Sequence, residues 1–95
     1  MAKYNLTIKK SAAKELQNIP KKDLLKIIKR IRLLAENPRP TGSQKLSLRE
    51  QYRVRQGDYR IVYSIDDKES VLRSTTKDEL LVDIVKIGHR REVYR

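Results

Sequence analysis

Tyr52-Arg53-Val54-Arg55-Gln56-Gly57-Asp58-Tyr59-Arg60-Ile61-Val62-Tyr63 decides the fold of this chain. It reads as two β-strands joined at Gly57-Asp58. Glycine first in a two-residue loop suits a type II′ turn, because that position needs φ > 0. Counting outward from the turn pairs Gln56 with Tyr59, Arg55 with Arg60, Val54 with Ile61 and Arg53 with Val62. Side chains alternate between the faces of a strand. One face therefore carries Tyr52, Val54, Ile61 and Tyr63, and can enter a core. The other carries Arg53, Arg55 and Arg60, with Val62 beside them. Setting Arg55 opposite Arg60 is repulsive, so this face is read as one built to meet an anion. A solvated basic face is the alternative. A slip of one residue would exchange the two faces.

Upstream, Tyr4-Asn5-Leu6-Thr7-Ile8 alternates like a strand. Ser11 is the expected N-cap of a short helix carrying Ala12, Leu16 and Ile19. Pro20 interrupts it and suits the first position of a second helix. Leu24, Ile27, Ile28, Ile31, Leu34 and Ala35 form one stripe of that helix. Lys22, Lys26, Lys29, Arg30 and Arg32 lie on its other faces, and the lysines read as solvated. The helix is predicted to end near Glu36-Asn37, because Pro38 pushes the preceding residue out of helical space. Residues 38–43 read as a loop and Lys45-Leu46-Ser47-Leu48 as a brief extended segment.

Downstream, Asp66-Asp67 reads as a turn, Val71-Leu72 as a possible strand extension and residues 74–78 as a loop. Leu80 to Ile87 is an apolar run of strand length, expected in the middle of the sheet and ended by Gly88. The prediction is one domain over residues 1–95 of α+β class. It has two layers, with an N-terminal strand and a helical hairpin packed on one face of a mostly antiparallel four-stranded sheet.

Lys plus Arg number 23 against 12 Asp plus Glu, a net charge of +11. Such a chain attracts polyanions, nucleic acid foremost. An anionic membrane is disfavoured, since there is no basic helix with a bulky aromatic face and no apolar run near the ~20 residues of a membrane helix. With no cysteine there is no disulfide framework or thiolate site. Walker, dinucleotide and metal-spaced motifs are absent, so no metal and no cofactor is expected.

His89 is the only histidine, and imidazole is the side chain best suited to exchange protons near neutrality. Lys86 and Arg90 share strand parity if extension continues through Gly88, which would carry them to the arginine face. Tyr94 is a candidate stacking surface or proton donor, with packing of a C-terminal tail as the alternative. These groups suit metal-free RNA phosphodiester cleavage. There a 2′-hydroxyl attacks the adjacent phosphate, guanidinium groups hold the growing charge, and a base and an acid move protons.

Tyr59-Arg60-Ile61-Val62-Tyr63 resembles the Y-R-hydrophobic-hydrophobic-Y strand of the RelE/ParE superfamily of bacterial toxins. Ile87-Gly88-His89-Arg90-Arg91-Glu92-Val93-Tyr94 is similar to its I-G-H-R-x-x-V-Y ending. Glu36-Asn37-Pro38-Arg39-Pro40 followed by Lys45-Leu46 fits as well. The resemblance covers nearly the whole chain and is to the RelE-like branch. It implies the RelE-like fold and a toxin of a type II toxin–antitoxin system, a ribosome-dependent endoribonuclease that cuts mRNA in the A site and stops translation. The partners implied are a cognate antitoxin in a higher-order hetero-oligomer, the ribosome and mRNA, in the cytoplasm.

The resemblance further implies catalytic or phosphate-binding roles for Arg53, Arg55, Arg60 and Arg90, and a catalytic or stacking role for Tyr94. The expected RNA-binding set is Lys45, Arg53, Arg55, Lys86 and Arg91. The family pattern has lysines where this chain has Arg53 and Arg55, and arginine is not deprotonated in proteins. His89 thereby joins the catalytic set as the proton-transfer candidate. A ParE-like gyrase-inhibiting toxin shares the fold without the RNase site. That toxin and a non-catalytic basic RNA-binding module are the alternative readings.

Overall fold

The structure, a computed structural model, describes residues 4–46, 51–66 and 80–89. In chain order the elements are β1 (Asn5–Ile8), α1 (Lys10–Leu16), α2 (Lys21–Leu34), β2 (Gln44–Lys45), β3 (Gln51–Gln56), β4 (Tyr59–Asp66) and β5 (Leu81–His89). The strands form one sheet in the order β1-β5-β4-β3-β2. Only β1 and β5 are parallel; the remaining pairs are antiparallel. The α+β class stands, with five strands rather than four, because Gln44 and Lys45 pair with Arg53 and Tyr52 as a short edge strand.

The hairpin forms in the predicted register, from Gln56↔Tyr59 to Tyr52↔Tyr63. Gly57 takes φ 63, a left-handed value that suits glycine at a hairpin turn. Tyr52, Val54, Ile61 and Tyr63 are buried against Ala12, Ile19, Ile27, Ile31 and Leu34 from the helices. Each buried aliphatic side chain of this size contributes about 1.5–3 kcal/mol, and together they hold the helical layer on one face of the sheet.

The apolar run at the C-terminal side is interior, as expected, but Gly88 does not end it. Tyr59 pairs with His89 and Arg60 with Gly88, so β4 carries its partner two residues further. Ile84 and Ile87 are both fully buried although three residues apart, which simple alternation forbids. The register shifts between Val62 and Tyr63: Val62 faces Lys86 while Tyr63 faces Ile84. One extra residue, Val85, is accommodated on β5 as a bulge. Both isoleucines therefore reach the core.

Ser11 lies inside α1 rather than capping it. The Lys9 N–H still bonds Ile84 O at 2.9 Å, and the Lys9 carbonyl already accepts from Ala13 N at 2.9 Å. The strand thus passes straight into the helix and sets its start before the serine. The second helix begins at Lys21, with Pro20 as its N-cap. It ends at Leu34, a little short of the predicted Glu36-Asn37, in a turn where Glu36 N and Asn37 N both donate to Leu33 O. The expected turn at Asp67, the readings at 71–72 and 74–78, and Ser47-Leu48 lie outside the described residues.

Beyond Ile84, β5 has β4 on one side and, among the described residues, no strand on the other. There α1 supplies the missing partner. The Glu15 carboxylate accepts the Ile87 N–H at 2.8 Å and lies 3.6 Å from Lys86 Nζ. A buried backbone donor left without a partner costs about 1–3 kcal/mol. Glu15→Ala is therefore expected to destabilise the protein by about that amount in urea unfolding, and Glu15→Gln by clearly less, since the amide oxygen still accepts. Equal losses would assign the effect to the Lys86 pair instead.

Candidate anion-binding site

The arginine face of the hairpin becomes one wall of a cavity of about 380 Å³. Arg53, Arg55 and Arg60 line it, with Arg30 from α2 and with Gly42 and Gln44 from the connection into β2. Alternation along β3 carries Arg53 and Arg55 to this side, and the Arg55↔Arg60 pairing adds Arg60. Arg60 is the buried member, 6% exposed, and Gly88 opposite it on β5 brings no side chain into the space. Gln44 pairs with Arg53 across the sheet, and its side-chain oxygen accepts from Arg53 Nη2. No carboxylate among the described residues lines the cavity. Like charges ~4 Å apart repel by about 1 kcal/mol in water and by more where water is scarce. An anion entering the cavity relieves that repulsion.

Two of these groups went unread in the sequence. Arg30 reads from the sequence only as lying off the apolar stripe of α2, yet it borders the buried Ile27, Ile31 and Leu34 and is itself half-buried. Its Nη2 donates to the backbone oxygen of Arg55 at 3.4 Å. Helical spacing offered one signal: Arg30 lies three residues after Ile27 and four before Leu34, on their side of the helix. Gln44 carried no signal, since its place depends on the pairing of β2.

The loop behind the cavity is pinned by tyrosines of the core face. Tyr63 donates its hydroxyl to Pro38 O at 2.6 Å. Tyr52 stacks on Tyr63 with ring centroids 5.9 Å apart. Arg39 lies over the Tyr52 ring at 5.3 Å and donates from Nε to its hydroxyl at 3.2 Å. Burial is the main reason the Tyr63 pKa is pushed up to about 12 from 10.0. Gly42, at φ 97, turns the chain from this loop toward β2, a conformation that favours glycine.

Other sequence-predicted residues are placed differently. Lys45 pairs with Tyr52 and so belongs to the helix side of the sheet, whereas its neighbour Gln44 lies on the arginine side. Lys86 faces Val62, on the arginine side as expected, but its ammonium group sits by Glu15 at the edge of β5. His89 is across the sheet from the arginines. It pairs with Tyr59, their rings meeting edge to face at 5.7 Å. It lines a separate cleft of about 360 Å³ with Glu15, Asn18, Ile19, Tyr59, Ile87 and Gly88. The reason is strand parity, since β5 remains extended through Gly88. Arg90, Arg91 and Tyr94 lie outside the described residues. No group of His, Cys, Asp and Glu able to hold a metal occurs among the described residues, and no helix among them is long and apolar enough to cross a membrane.

Comparison with known proteins gives this geometry a context. Residues 6–94 match the family model described as ParE toxin of type II toxin-antitoxin system, parDE. A protein of Methanocaldococcus jannaschii that carries the name toxin RelE1 is 32% identical over 85 residues, which are 81% of this chain and 92% of that protein. The archaeal RelE–RelB complex from Pyrococcus horikoshii OT3 contains a chain of similar fold. It has TM-score 0.74 and 27% identity, covering 94% of this chain and 97% of that one. A mutant of E. coli RelE in the free state superposes with TM-score 0.72 at 23% identity, over 99% of this chain and 92% of the other. This likeness is one of fold. From the family match over residues 6–94 and the 32% identity to a RelE-named relative, the chain belongs to the RelE/ParE superfamily of toxins of type II toxin–antitoxin systems.

Proposed function

We propose that this toxin is a ribosome-dependent endoribonuclease that cuts mRNA in the A site. The observation that carries the reading is the convergence of Arg53, Arg55 and Arg60 on one cavity. In the reaction the 2′-oxygen bonds to phosphorus as the bond to the 5′-oxygen breaks. The 2′-proton leaves, and the 5′-oxygen gains one. Guanidinium groups fixed in a cavity stabilise the negative charge that grows on the phosphorane oxygens.

Arginine does not serve as the base, and His89 faces the other side of the sheet. Proton exchange is accordingly assigned to Tyr94. The expected result is a loss of about 10²–10⁴-fold in single-turnover cleavage on ribosomes for Tyr94→Phe, with His89→Ala close to the parent rate. A slow His89→Ala beside a silent Tyr94→Phe would reverse the assignment. A silent Tyr94→Phe with a slow Tyr94→Ala would make the ring a stacking surface and leave the rate to alignment of the 2′-hydroxyl by the ribosome.

The natural partner in this reading is an antitoxin, as in the RelE–RelB complexes of relatives, assembled into a higher-order hetero-oligomer in the cytoplasm. A second reading has its own support, because the matching family model is that of ParE toxins. In that case the protein would inhibit DNA gyrase. Mapping 5′ ends of cellular mRNA after induction separates the two. In-frame cuts within codons support the endoribonuclease, while DNA breaks with intact mRNA support the gyrase inhibitor.

A further inference from the structure

We infer that Arg30 is an RNA-binding residue that, with Arg53, holds the phosphate next to the scissile one. The inference rests on the endoribonuclease reading of the cavity and assigns a helix residue to it.

The first argument is placement. The edge strand β2 pairs with β3 only at Gln44↔Arg53 and Lys45↔Tyr52. The edge of β3 at Arg55 therefore has no strand beside it among the described residues. Arg30 reaches this edge from the helical layer and donates one N–H to the Arg55 carbonyl. That contact holds one end of the guanidinium at the sheet edge. Its Nε is buried and has no hydrogen-bond partner among the described residues. Arg30 lines the cavity beside Gly42, Gln44 and Arg53.

The second argument is charge. Four guanidinium groups line the cavity. A phosphodiester carries a single negative charge, and its phosphorane two at most. One phosphate therefore leaves two positive charges unmatched. A single RNA strand entering the cavity supplies a second phosphodiester and matches one more of them. Arg55 and Arg60 face each other across β3 and β4, so they share one phosphate. Arg53, held by Gln44, and Arg30, held by the Arg55 carbonyl, form the other end. Guanidinium is suited to such a task because its planar fork presents several donors to phosphate oxygens at once.

The test uses RNA that cannot be cut: a 2′-O-methyl dinucleotide with one internal phosphodiester and a 2′-O-methyl trinucleotide with two. Binding to the purified toxin is followed by NMR titration. The parent is expected to prefer the trinucleotide by about ten-fold, the value of one hydrogen bond to a charged group. Arg30→Leu is expected to remove most of that preference, with a smaller loss for the dinucleotide, which feels only the missing charge. Arg30→Lys, which keeps the charge without the fork, is expected to restore it in part, and it serves as the reporter if the leucine variant fails to fold. Arg30→Leu with the preference intact would make Arg30 only a cap for the sheet edge, and equal loss for both ligands would assign it to the scissile phosphate. Either result overturns the inference. Failure of the endoribonuclease reading is distinguishable, because these titrations require no cleavage.

Discussion

On the endoribonuclease reading, Arg60→Met is expected to lower ribosome-dependent cleavage by about 10²–10³-fold, the usual cost of removing one fixed donor from a developing oxyanion. Arg60 combines the deepest position in the cavity with a partner of like charge directly opposite. Methionine replaces the aliphatic stem that lies in the sheet and removes the guanidinium. Alanine would also leave a hole at a residue only 6% exposed, and so would confuse charge with packing. Loss of the charge relieves repulsion with Arg55, so the melting temperature should hold or rise. The loss should appear in the single-turnover rate on saturated ribosomes. A folded Arg60→Met that cleaves like the parent would remove the anion site from the mechanism. Should that variant unfold, Arg60→Lys answers the same question, since it keeps a charge in place and should retain a large part of the rate.

The second large effect concerns stability in alkali. Tyr63 is fully buried, and its hydroxyl donates to Pro38 O. Its folded-state pKa of about 12 lies above the ordinary 10.0. The folded state therefore holds this proton more tightly than the unfolded chain does. Its contribution to stability is complete below pH 10 and is lost as pH rises from 10 to 12. A shift of this size corresponds to about 3 kcal/mol, a large share of the ~5–15 kcal/mol that holds a small domain together. Tyr63→Phe provides the comparison. At neutral pH it leaves the Pro38 carbonyl without its donor and should be less stable by about 1–3 kcal/mol. Between pH 10 and 12 it should lose less than the parent, so the two urea-unfolding curves converge. Lysine titration is common to both proteins and cancels in the difference. Parallel decline of the two would show that the hydroxyl proton is not what Pro38 holds. At neutral pH the variant should also loosen the loop that carries Gly42 into the cavity, so on the endoribonuclease reading its cleavage rate should fall with its stability.

Much of this molecule was legible in its sequence because the hairpin is a local object. A glycine with positive φ and strict alternation determine six cross-strand pairs without reference to anything distant. The apolar stripe of α2 is likewise local, and Ile27, Ile31 and Leu34 are buried where its period puts them. What remained hidden depends on long-range pairing. Gln44 enters the cavity, and Lys45 leaves it, only because a two-residue strand docks on β3. Arg30 joins because that strand is too short to cover Arg55. Ser11 looked like a helix cap because cap chemistry is local, but the ladder bond from Lys9 to Ile84 starts the helix first. His89 was grouped with the arginines by nearness in motif. Placing it required knowing that the last strand stays extended through Gly88.

That last strand also contains an irregularity with a wider meaning. The extra residue at Val85 works as a phase setting for everything after it. Pairing the same residues without the bulge would set Val85 against Val62 and Ile87 against Arg60, turning Ile87 out of the core and His89 toward the arginines. Two chains could then share the whole Ile-Gly-His-Arg run letter for letter and yet present it in opposite senses. Similarity in the tail is therefore readable only together with whether the strand before it bulges.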